Sequence, residues 1–397
     1  MKVLFLATRA PVPPWRGDQV RAYHQLRLLG RRHDITLALL TPSPPSANDR
    51  RAIEDWGVRI EHVPLSRFGA VAAVARVVVG DPQPLQTLLY RRPTAHAQLA
   101  ALMIRERFDL VHAQLIRVGA YLPGAAGPPV VIDLIDAISE NMRRRAARSP
   151  QPLGWIFDWE ARRVARFERQ LAEDVAATVV VAPEDAALIG DRRVHVVPNG
   201  VDLDAFPFSP EPRAGARIIF AGNLGYFPNV DAAQWLAHEI FPRVRARVPD
   251  AELRLVGARP TRAVRDLADR PGVSVAADVP NMATELAAAR VAVLPMRAGT
   301  GLQNKVLEAL AVGTPVVTTP RAVAALTIRA GEHLLVADDP EGLADATVRL
   351  LTSTDEARTL ALRGRQLVEE RYGWAAPIAA LETIWRGAAI DAIGHRF

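Results

Sequence analysis

The chain of 397 residues contains no cysteine. This absence excludes disulfide bridges, cysteine-ligated zinc and thiol nucleophiles, and it fits a protein of the cytoplasm. Long hydrophobic runs are missing too, since no run approaches the roughly 20 apolar residues of a transmembrane helix. The first run, VLFLA after Lys2, is shorter than a signal-peptide core. It therefore predicts a first β-strand.

Lysine is almost absent as well. Only Lys2 and Lys305 occur, so 47 of the 49 basic residues are arginine. The formal net charge of +6 favours anionic partners such as nucleotides, phosphates, nucleic acid or acidic lipid headgroups. Arginine-rich usage from a GC-rich genome is the alternative explanation of this charge. Because lysine is so rare, its use at position 305 calls for a functional explanation.

Short Val/Ile/Leu runs alternate with helical patterns along the whole chain. Continuous apolar runs are typical of parallel strands covered on both faces, so the pattern predicts a doubly wound α/β architecture with two Rossmann-like domains. Residues 198–215 are rich in Pro, Gly and Asp and predict a linker. We expect a first domain at 1–200, a second at 201–374, and a final helix at 375–397 that packs back on the first. The candidate strands are KVLFLA, DITLALL, VRIEHV, FDLVHA, PPVVIDL and ATVVVA in the first half, and RIIFAG, ELRLVG, VSVA, VAVLP, PVVTT and HLLVA in the second.

The stretch GTGLQNKVLEALAVGTPVV, residues 299–317, lies between two of these strands. It predicts a glycine turn and then a helix that ends at Gly313. A glycine loop before a helix N-terminus binds phosphate, because free amides and the helix dipole face the loop. Lys305 falls in the first turn, with Glu308 on the same face, and its ammonium can reach a diphosphate. The alternative is an exposed Lys–Glu pair worth only tenths of a kcal/mol.

Several stretches resemble one enzyme family. PMRAGTGLQNKVLEALAVGTPVVTT resembles the donor-site signature of the retaining glycosyltransferases of family four, which have the GT-B fold. PNGVDLDAFP is similar to the interdomain segment of that family. FAGNLGYFPNVDAAQWL is similar to the start of its C-terminal domain in a subgroup associated with exopolysaccharide clusters. RGDQVRAYHQLRLLGRRHDITLALL resembles its first loop, helix and second strand.

The resemblance implies two Rossmann-like domains facing across a cleft. The C-terminal domain would hold a nucleotide-sugar donor, a UDP- or GDP-sugar, and the N-terminal domain a sugar, lipid-linked or small-molecule acceptor. Transfer would proceed with retention in polysaccharide, glycolipid or other glycoconjugate biosynthesis, with no cofactor and no metal. Lys305 would stabilise the leaving diphosphate, Glu308 would hold the donor's ribose or nearby hydroxyls, and His112 would contact substrate. The implied donor-binding residues are Gly222, Asn223, Asn229, Asp278, Gly299, Thr300, Gly301 and Leu302.

The chain departs from the family pattern at three places. Many members carry two glutamates in the donor motif, but the first position is Thr300 here. Asn223 and Asn229 stand in the loop that usually carries Arg and Lys, so Lys305 would carry more of the phosphate charge. Where many members of the family have the sequence His-x-His, this chain has His112 and Gln114. A glutamine side chain can still form a hydrogen bond with a sugar hydroxyl.

Further candidates belong to the N-terminal domain. Gly17, Asp18 and Arg21 follow the first strand, where ligands bind in open α/β sheets. The alternative is an ordinary turn in which Asp18 caps the next helix. Asp136 follows another strand and would meet an acceptor hydroxyl, or would cap the helix after it. A structural role is the alternative for His112.

The stretch NMRRRAARSPQPLGWIFDWEARRVARFERQ mixes arginines with Trp155, Ile156, Phe157 and Trp159. Such a segment suits an anionic membrane surface, at the inner face of the plasma membrane. The favoured alternative is a solvated helix whose aromatic face is core. Two rival functions stay open, a GT-B nucleotide-sugar epimerase and a basic protein that binds nucleic acid or anionic polysaccharide. Nucleic acid is not an expected partner, because no recognition motif is evident.

Overall fold

The computed structural model describes residues 1–394 apart from 15, 66–72, 74–75, 78–79, 125, 191, 210–212, 214 and 299–302. The chain forms two compact units. The first comprises Met1–Pro198 with Pro377–Phe397, and the second comprises Asn199–Ala376.

The N-terminal unit is built on a parallel sheet in the order β3-β2-β1-β4-β5-β6-β7. Its strands are β1 (Lys2–Ala7), β2 (Asp34–Thr41), β3 (Val58–Pro64), β4 (Leu110–Gln114), β5 (Val130–Ile135), β6 (Ala177–Val180) and β7 (Val194–Val196). Its helices are α1 (Gly17–Leu29), α2 (Ala47–Glu54), α3 (Leu85–Leu88), α4 (Pro93–Glu106), α5 (Ile138–Arg148), α6 (Leu153–Asp174) and α7 (Pro183–Ile189), with a 3₁₀ turn at Ile116–Tyr121. The final helix of the chain, α16 (Ala375–Gly394), contributes nearly all its length to this unit.

The C-terminal unit holds a second parallel sheet in the order β10-β9-β8-β11-β12-β13. Its strands are β8 (Arg217–Ala221), β9 (Glu252–Gly257), β10 (Val273–Ala277), β11 (Val291–Leu294), β12 (Val316–Thr318) and β13 (Leu335–Val336). Its helices are α8 (Phe227–Trp235), α9 (Phe241–Arg247), α10 (Arg262–Arg265), α11 (Met282–Ala287), α12 (Asn304–Val312), α13 (Pro320–Val323), α14 (Pro340–Thr352) and α15 (Thr354–Arg371). A π-helical turn at Leu236–Ile240 and a 3₁₀ turn at Asp266–Asp269 complete it.

Continuous apolar strands explain both sheets. Phe220, Leu255 and Val293 on neighbouring strands are fully buried, and so are Leu307 and Leu310 of α12 above them. Because helices cover both faces of such a sheet, every strand position favours a Val, Ile or Leu side chain. The predicted α/β class with two Rossmann-like domains is confirmed.

Three details differ from the sequence-based expectation. The apolar-run criterion misses β7, whose three residues sit at a sheet edge and are partly or fully exposed. The stretch 198–215 is not a free linker, since Arg213 donates to the carbonyls of Val312 and Gly313 and fixes it to the C-terminal unit. A carboxylate at position 231 suits a helix start, but Asp231 lies within α8 and pairs with Arg297 at 2.7 Å.

Within the described residues, no helix combines the length and the apolar character that crossing a membrane requires.

Candidate functional site

The C-terminal sheet changes direction between β8 and β11. From β8 the chain continues to β9 on one side, and from β11 it continues to β12 on the other. Connections that diverge from adjacent strands leave a crevice at their carboxyl ends, and ligands bind there in open α/β sheets. Helix α8 follows β8 and helix α12 follows β11, so both begin at this switch point.

Lys305 reaches across the switch point from α12. Its Nζ donates to Asn229 Oδ1 at 2.5 Å and lies 3.4 Å from Gln303 Oε1 and 3.6 Å from Met296 Sδ. A Cβ added at Gly222 would lie 3.4 Å from Lys305 Cε and 3.1 Å from Asn229 Nδ2. The structure therefore brings together predicted residues from the loop after β8 and from the helix after β11.

The loop that receives the lysine is closely packed. Asn229 Nδ2 donates to the Asn223 carbonyl at 2.9 Å, and Asn223 Oδ1 accepts from the Gly225 amide at 3.1 Å. Gly257 lies behind the loop with φ at +156°, and a Cβ there would come within 1.6 Å of the Gly222 carbonyl oxygen. Only glycine fits at 257, so this contact fixes the path of the loop.

Burial perturbs both charged residues of α12. It lowers the pKa of Lys305 to about 8, against the attraction of Glu308. It raises the pKa of Glu308 to about 7, against the attraction of Lys305. The recorded acceptors around the ammonium, from Asn229, Gln303 and Met296, are all neutral groups. A partly desolvated cation among neutral partners has much to gain from a phosphate.

The remaining donor-side predictions fall in two groups. Gly299, Thr300, Gly301 and Leu302 lie outside the described residues. Asp278 follows β10 at the same edge of the sheet, with φ at +48°, and its amide donates to the Gly257 carbonyl at 3.3 Å. The side chain of Asp278 is exposed two strands away from β8.

The N-terminal sheet has its own switch point, between β1 and β4. Gly17 begins α1 there, and Gln114 at the end of β4 donates to the Asp18 carbonyl at 2.9 Å. The N-cap of α1 is Arg16, so the expected capping role of Asp18 is wrong. Its carboxylate instead accepts from Arg9 at 2.6 Å. These residues gather at the edge where an acceptor was expected.

Arg21 does not belong to a binding surface. The side chain is fully buried, and its Nε donates to Asp133 Oδ2 at 2.6 Å. Nη1 donates to the Val197 carbonyl at 3.0 Å, and Gln25 donates to the same Asp133 oxygen at 2.8 Å. Its position after the first strand predicted a contact with acceptor or donor phosphate, but the buried guanidinium instead fastens α1 to β5 in the core.

His112 is also a core residue. It is 0% exposed, its Nδ1 accepts from Trp385 Nε1 at 3.1 Å, and its ring lies 4.5 Å from that of Phe5. Burial lowers its pKa to about 4, so the imidazole is neutral. This disagrees with the expected substrate contact and supports the structural alternative, because Trp385 of α16 covers His112 within β4.

Asp136 stays available at the end of β5. The N-cap of α5 is Ala137, whose amide donates to Asp185 Oδ1 at 3.1 Å, so the capping alternative for Asp136 is wrong. Loss of surrounding water raises the pKa of Asp136 to about 6, and repulsion from Asp185 acts in the same direction. Asp185 is a neighbour that the sequence analysis missed, because it lies on α7, nearly fifty residues away along the chain.

Comparison with known proteins agrees with this architecture. A family model described as Glycosyltransferase Family 4 matches residues 15–205. A second model, described as Glycosyl transferases group 1, matches residues 215–353. The two models together span most of the chain, one on each unit.

Individual relatives are more distant. The chain is 26% identical over 207 residues to a phosphatidyl-myo-inositol mannosyltransferase of Mycobacterium tuberculosis, a match that covers 49% of this chain and 54% of the relative. It thus spans about half the length of that relative. It is 29% identical over 346 residues to D-inositol 3-phosphate glycosyltransferase 1 of Catenulispora acidiphila, covering 79% of this chain and 81% of the relative.

Among solved structures, HepE of Anabaena in complex with UDP and glucose has a TM-score of 0.64 at 15% identity, covering 96% of this chain and 98% of that one. This likeness concerns the fold, and it agrees with the two parallel sheets and their switch points. The chain belongs to the glycosyltransferases of family four and has their GT-B fold.

Proposed function

We propose that this protein transfers a sugar from a UDP- or GDP-sugar to an acceptor hydroxyl, with retention and without a metal. The observation that carries the proposal is the position of Lys305, whose ammonium meets Asn229 and the Gly222 loop at the switch point of the C-terminal sheet. A nucleotide diphosphate placed over this crevice would meet a cation and the N-terminus of α12 together.

The charge pattern suits departure of a diphosphate. When the bond between the anomeric carbon and the diphosphate oxygen breaks, negative charge grows on that oxygen. An ammonium already held at the site stabilises this charge more than it stabilises the ground state, which lowers the barrier. Lys305 takes this role from α12, whereas Asn229, in the first turn of α8, stands in the region where the family resemblance expects a cation. The ammonium therefore arrives at the loop from the neighbouring helix.

The relatives support this choice of substrates. HepE was solved with UDP and glucose, which are the parts of a nucleotide-sugar donor. The names of both curated relatives pair a transferred sugar with an inositol phosphate acceptor. We therefore include phosphatidyl-myo-inositol and inositol 3-phosphate among the acceptors to test. On the acceptor side, Asp136 is exposed at the carboxyl end of β5 and is suited to accept a hydrogen bond from a sugar or inositol hydroxyl.

The test of this proposal removes the ammonium group from α12 and then restores one from α8. Lys305→Ala should reduce transfer by about 10²–10³-fold, the usual effect of losing one transition-state charge contact. In the double variant Lys305→Ala/Asn229→Lys the ammonium returns from α8, and we expect part of the activity to recover. Lys2→Ala is the matched control, because the only other lysine pairs with Glu106 in the N-terminal unit.

Donor binding by calorimetry and product formation by chromatography measure the outcome. The anomeric configuration of the product, read by NMR, tests retention. Normal turnover in Lys305→Ala would refute the proposal. Nucleoside diphosphate released equally with and without acceptor would favour the epimerase, and strongly salt-dependent binding of polyanions without turnover would favour the binding protein.

A further inference from the structure

Helices α5 and α6 form a hairpin with an apolar tip. The favoured sequence-based interpretation placed its aromatic residues in the core, which holds for Phe167 but not for Trp155 and Trp159. Trp155 is 68% exposed, Ile156 56% and Trp159 48%, and Leu153 beside them is 45% exposed. These four side chains occupy the first two turns of α6 and form one patch, called here the hairpin tip.

The hairpin tip lies far along α6 from the contact that joins the two helices of the hairpin. Ser139, at the start of α5, donates to Glu168 Oε2 at 2.6 Å, so Glu168 lies level with the carboxyl end of β5. Trp155 precedes Glu168 by 13 residues of the same helix. At about 1.5 Å per residue, Trp155 lies roughly 20 Å along α6 from Glu168. The exposed apolar residues thus lie at the far end of the hairpin from the contact with Ser139.

Positive charge surrounds the tip. Residues 140–169 contain eight arginines and four carboxylates. Arg162 and Arg166 are exposed and continue the face of Trp155 and Trp159 along α6. Glu140 pairs with two arginines of α5, and Asp158 pairs with Arg162. These surface pairs neutralise only part of the arginine charge.

We propose that the hairpin tip docks on the surface of an anionic lipid bilayer. Tryptophan prefers the boundary between lipid headgroups and acyl chains, because its ring is apolar and its N–H is polar. Arginines behind the tip are attracted by acidic headgroups, at about 1 kcal/mol for each near the surface. A second copy of the chain fits less well, since two such hairpins would bring like charges together.

Docking at this place has a consequence for the substrate, which rests on the proposed function. Asp136 directly precedes α5 and therefore lies at the base of the hairpin. A bilayer held at the tip would be roughly 20 Å from this carboxylate, a distance estimated from the helix rise. We infer that the acceptor is lipid-linked and that several sugar or polyol units separate its reacting hydroxyl from the bilayer, because a single headgroup is much shorter than this gap.

Vesicle sedimentation of the full chain tests the docking. Vesicles of phosphatidylcholine alone are compared with vesicles of equal parts phosphatidylcholine and phosphatidylglycerol, at low and high salt. We expect binding to the anionic vesicles, weakened by salt. Trp155→Ser/Trp159→Ser should lower the partition coefficient at least about tenfold, which corresponds to a loss of about 1.4 kcal/mol of binding free energy. Leu362→Ser/Ile390→Ser is the control, because these exposed apolar residues lie far along the chain in α15 and α16.

Circular dichroism of each variant checks folding, and Arg162→Gln/Arg166→Gln should remove much of the preference for anionic vesicles. Equal binding by the wild type and the tryptophan variant, or no binding to either vesicle, would overturn the proposal. A dimer in sedimentation analysis that the tryptophan variant abolishes, without vesicle binding, would identify a second copy as the occupant. Donor binding without vesicles is measured separately, so failure of the docking leaves the test of Lys305 unaffected.

Discussion

A partly buried lysine that has to be charged makes donor binding depend on pH. Burial lowers the pKa of Lys305 to about 8 in the free protein, so the ammonium form dominates below that pH. If only this form accepts the diphosphate, Lys305 should cause no change in affinity near neutral pH, where Glu308 with its pKa of about 7 titrates instead. Above pH 8 the affinity should fall by up to about tenfold per pH unit.

Titration calorimetry with UDP and GDP between neutral pH and pH 9.5 measures this effect. Lys305→Arg stays protonated throughout, so its affinity should be lower but nearly independent of pH. An identical decline in the arginine variant would show that another group controls binding.

Glu308 is expected to serve the donor more than the fold. Glu308→Gln keeps the size of the side chain, but a neutral amide accepts hydrogen bonds from the donor's hydroxyls more weakly than a carboxylate, so nucleotide affinity should fall about tenfold while the melting temperature changes little. Glu285→Gln is the control, since Glu285 pairs with Arg254 at 2.6 Å in the same unit. That variant should keep its nucleotide affinity. If Glu308→Gln unfolds readily and the folded fraction binds nucleotide normally, Glu308 is structural.

The sequence predicted the positions of functional residues correctly where those residues lie close together along the chain. The positions of Lys305 and Glu308 in the first turns of α12, and the end of that helix at Gly313, were predictable because all lie within one continuous stretch. His112 and Arg21 were not, because their partners Trp385 and Asp133 are more than one hundred residues away. Pattern alone cannot separate a polar residue at an open edge from one that another element covers.

At the scale of an element, α16 is held by polar contacts as well as apolar ones. Trp385 is fully buried and donates to His112. Glu382, one turn earlier, accepts from Arg32 at 2.7 Å and lies 3.1 Å from His33 Nε2. Burial lowers the pKa of both histidines. The attachment of this helix should therefore weaken in acid.

The direction of this pH dependence follows from the proton that His112 takes up when the protein unfolds. An unfolded histidine protonates near its ordinary pKa of about 6.5, whereas folded His112 protonates only near pH 4. Stability should thus be complete above pH 6.5 and decline as pH falls from 6.5 to 4. Urea unfolding of His112→Gln should show a shallower pH slope than the wild type. A slope that is unchanged in this variant would assign the acid sensitivity elsewhere.

Among the elements, buried strands were the most predictable. Their apolar runs coincide with the observed strands to within about two residues, because complete burial on two faces imposes the same composition at each position. The short edge strand β7 carries little of that signal. The exposure of the hairpin tip was not predictable, because the same spacing of aromatic residues serves a core face and a surface face equally well.

For the whole molecule, we expect transfer to need no added divalent cation. Lys305 and the start of α12 supply the positive charge that a metal would otherwise provide to the diphosphate. Activity measured after dialysis against EDTA should therefore equal that of the untreated protein. A loss reversed by Mg²⁺ or Mn²⁺ would contradict the proposed mechanism.

The N-terminal unit is formed by two separate segments of the chain, and this affects the order in which the two units can fold during synthesis. The N-terminal unit needs Pro377–Phe397, but Asn199–Ala376 must be synthesised in between. At about 5–20 residues per second, these 178 residues take roughly 10–35 s. Until then the groove beside His33 and His112 that will receive Trp385 is uncovered on the nascent chain. The domain that emerges first is therefore completed last, and a chain that stalls before residue 377 presents that groove to chaperones.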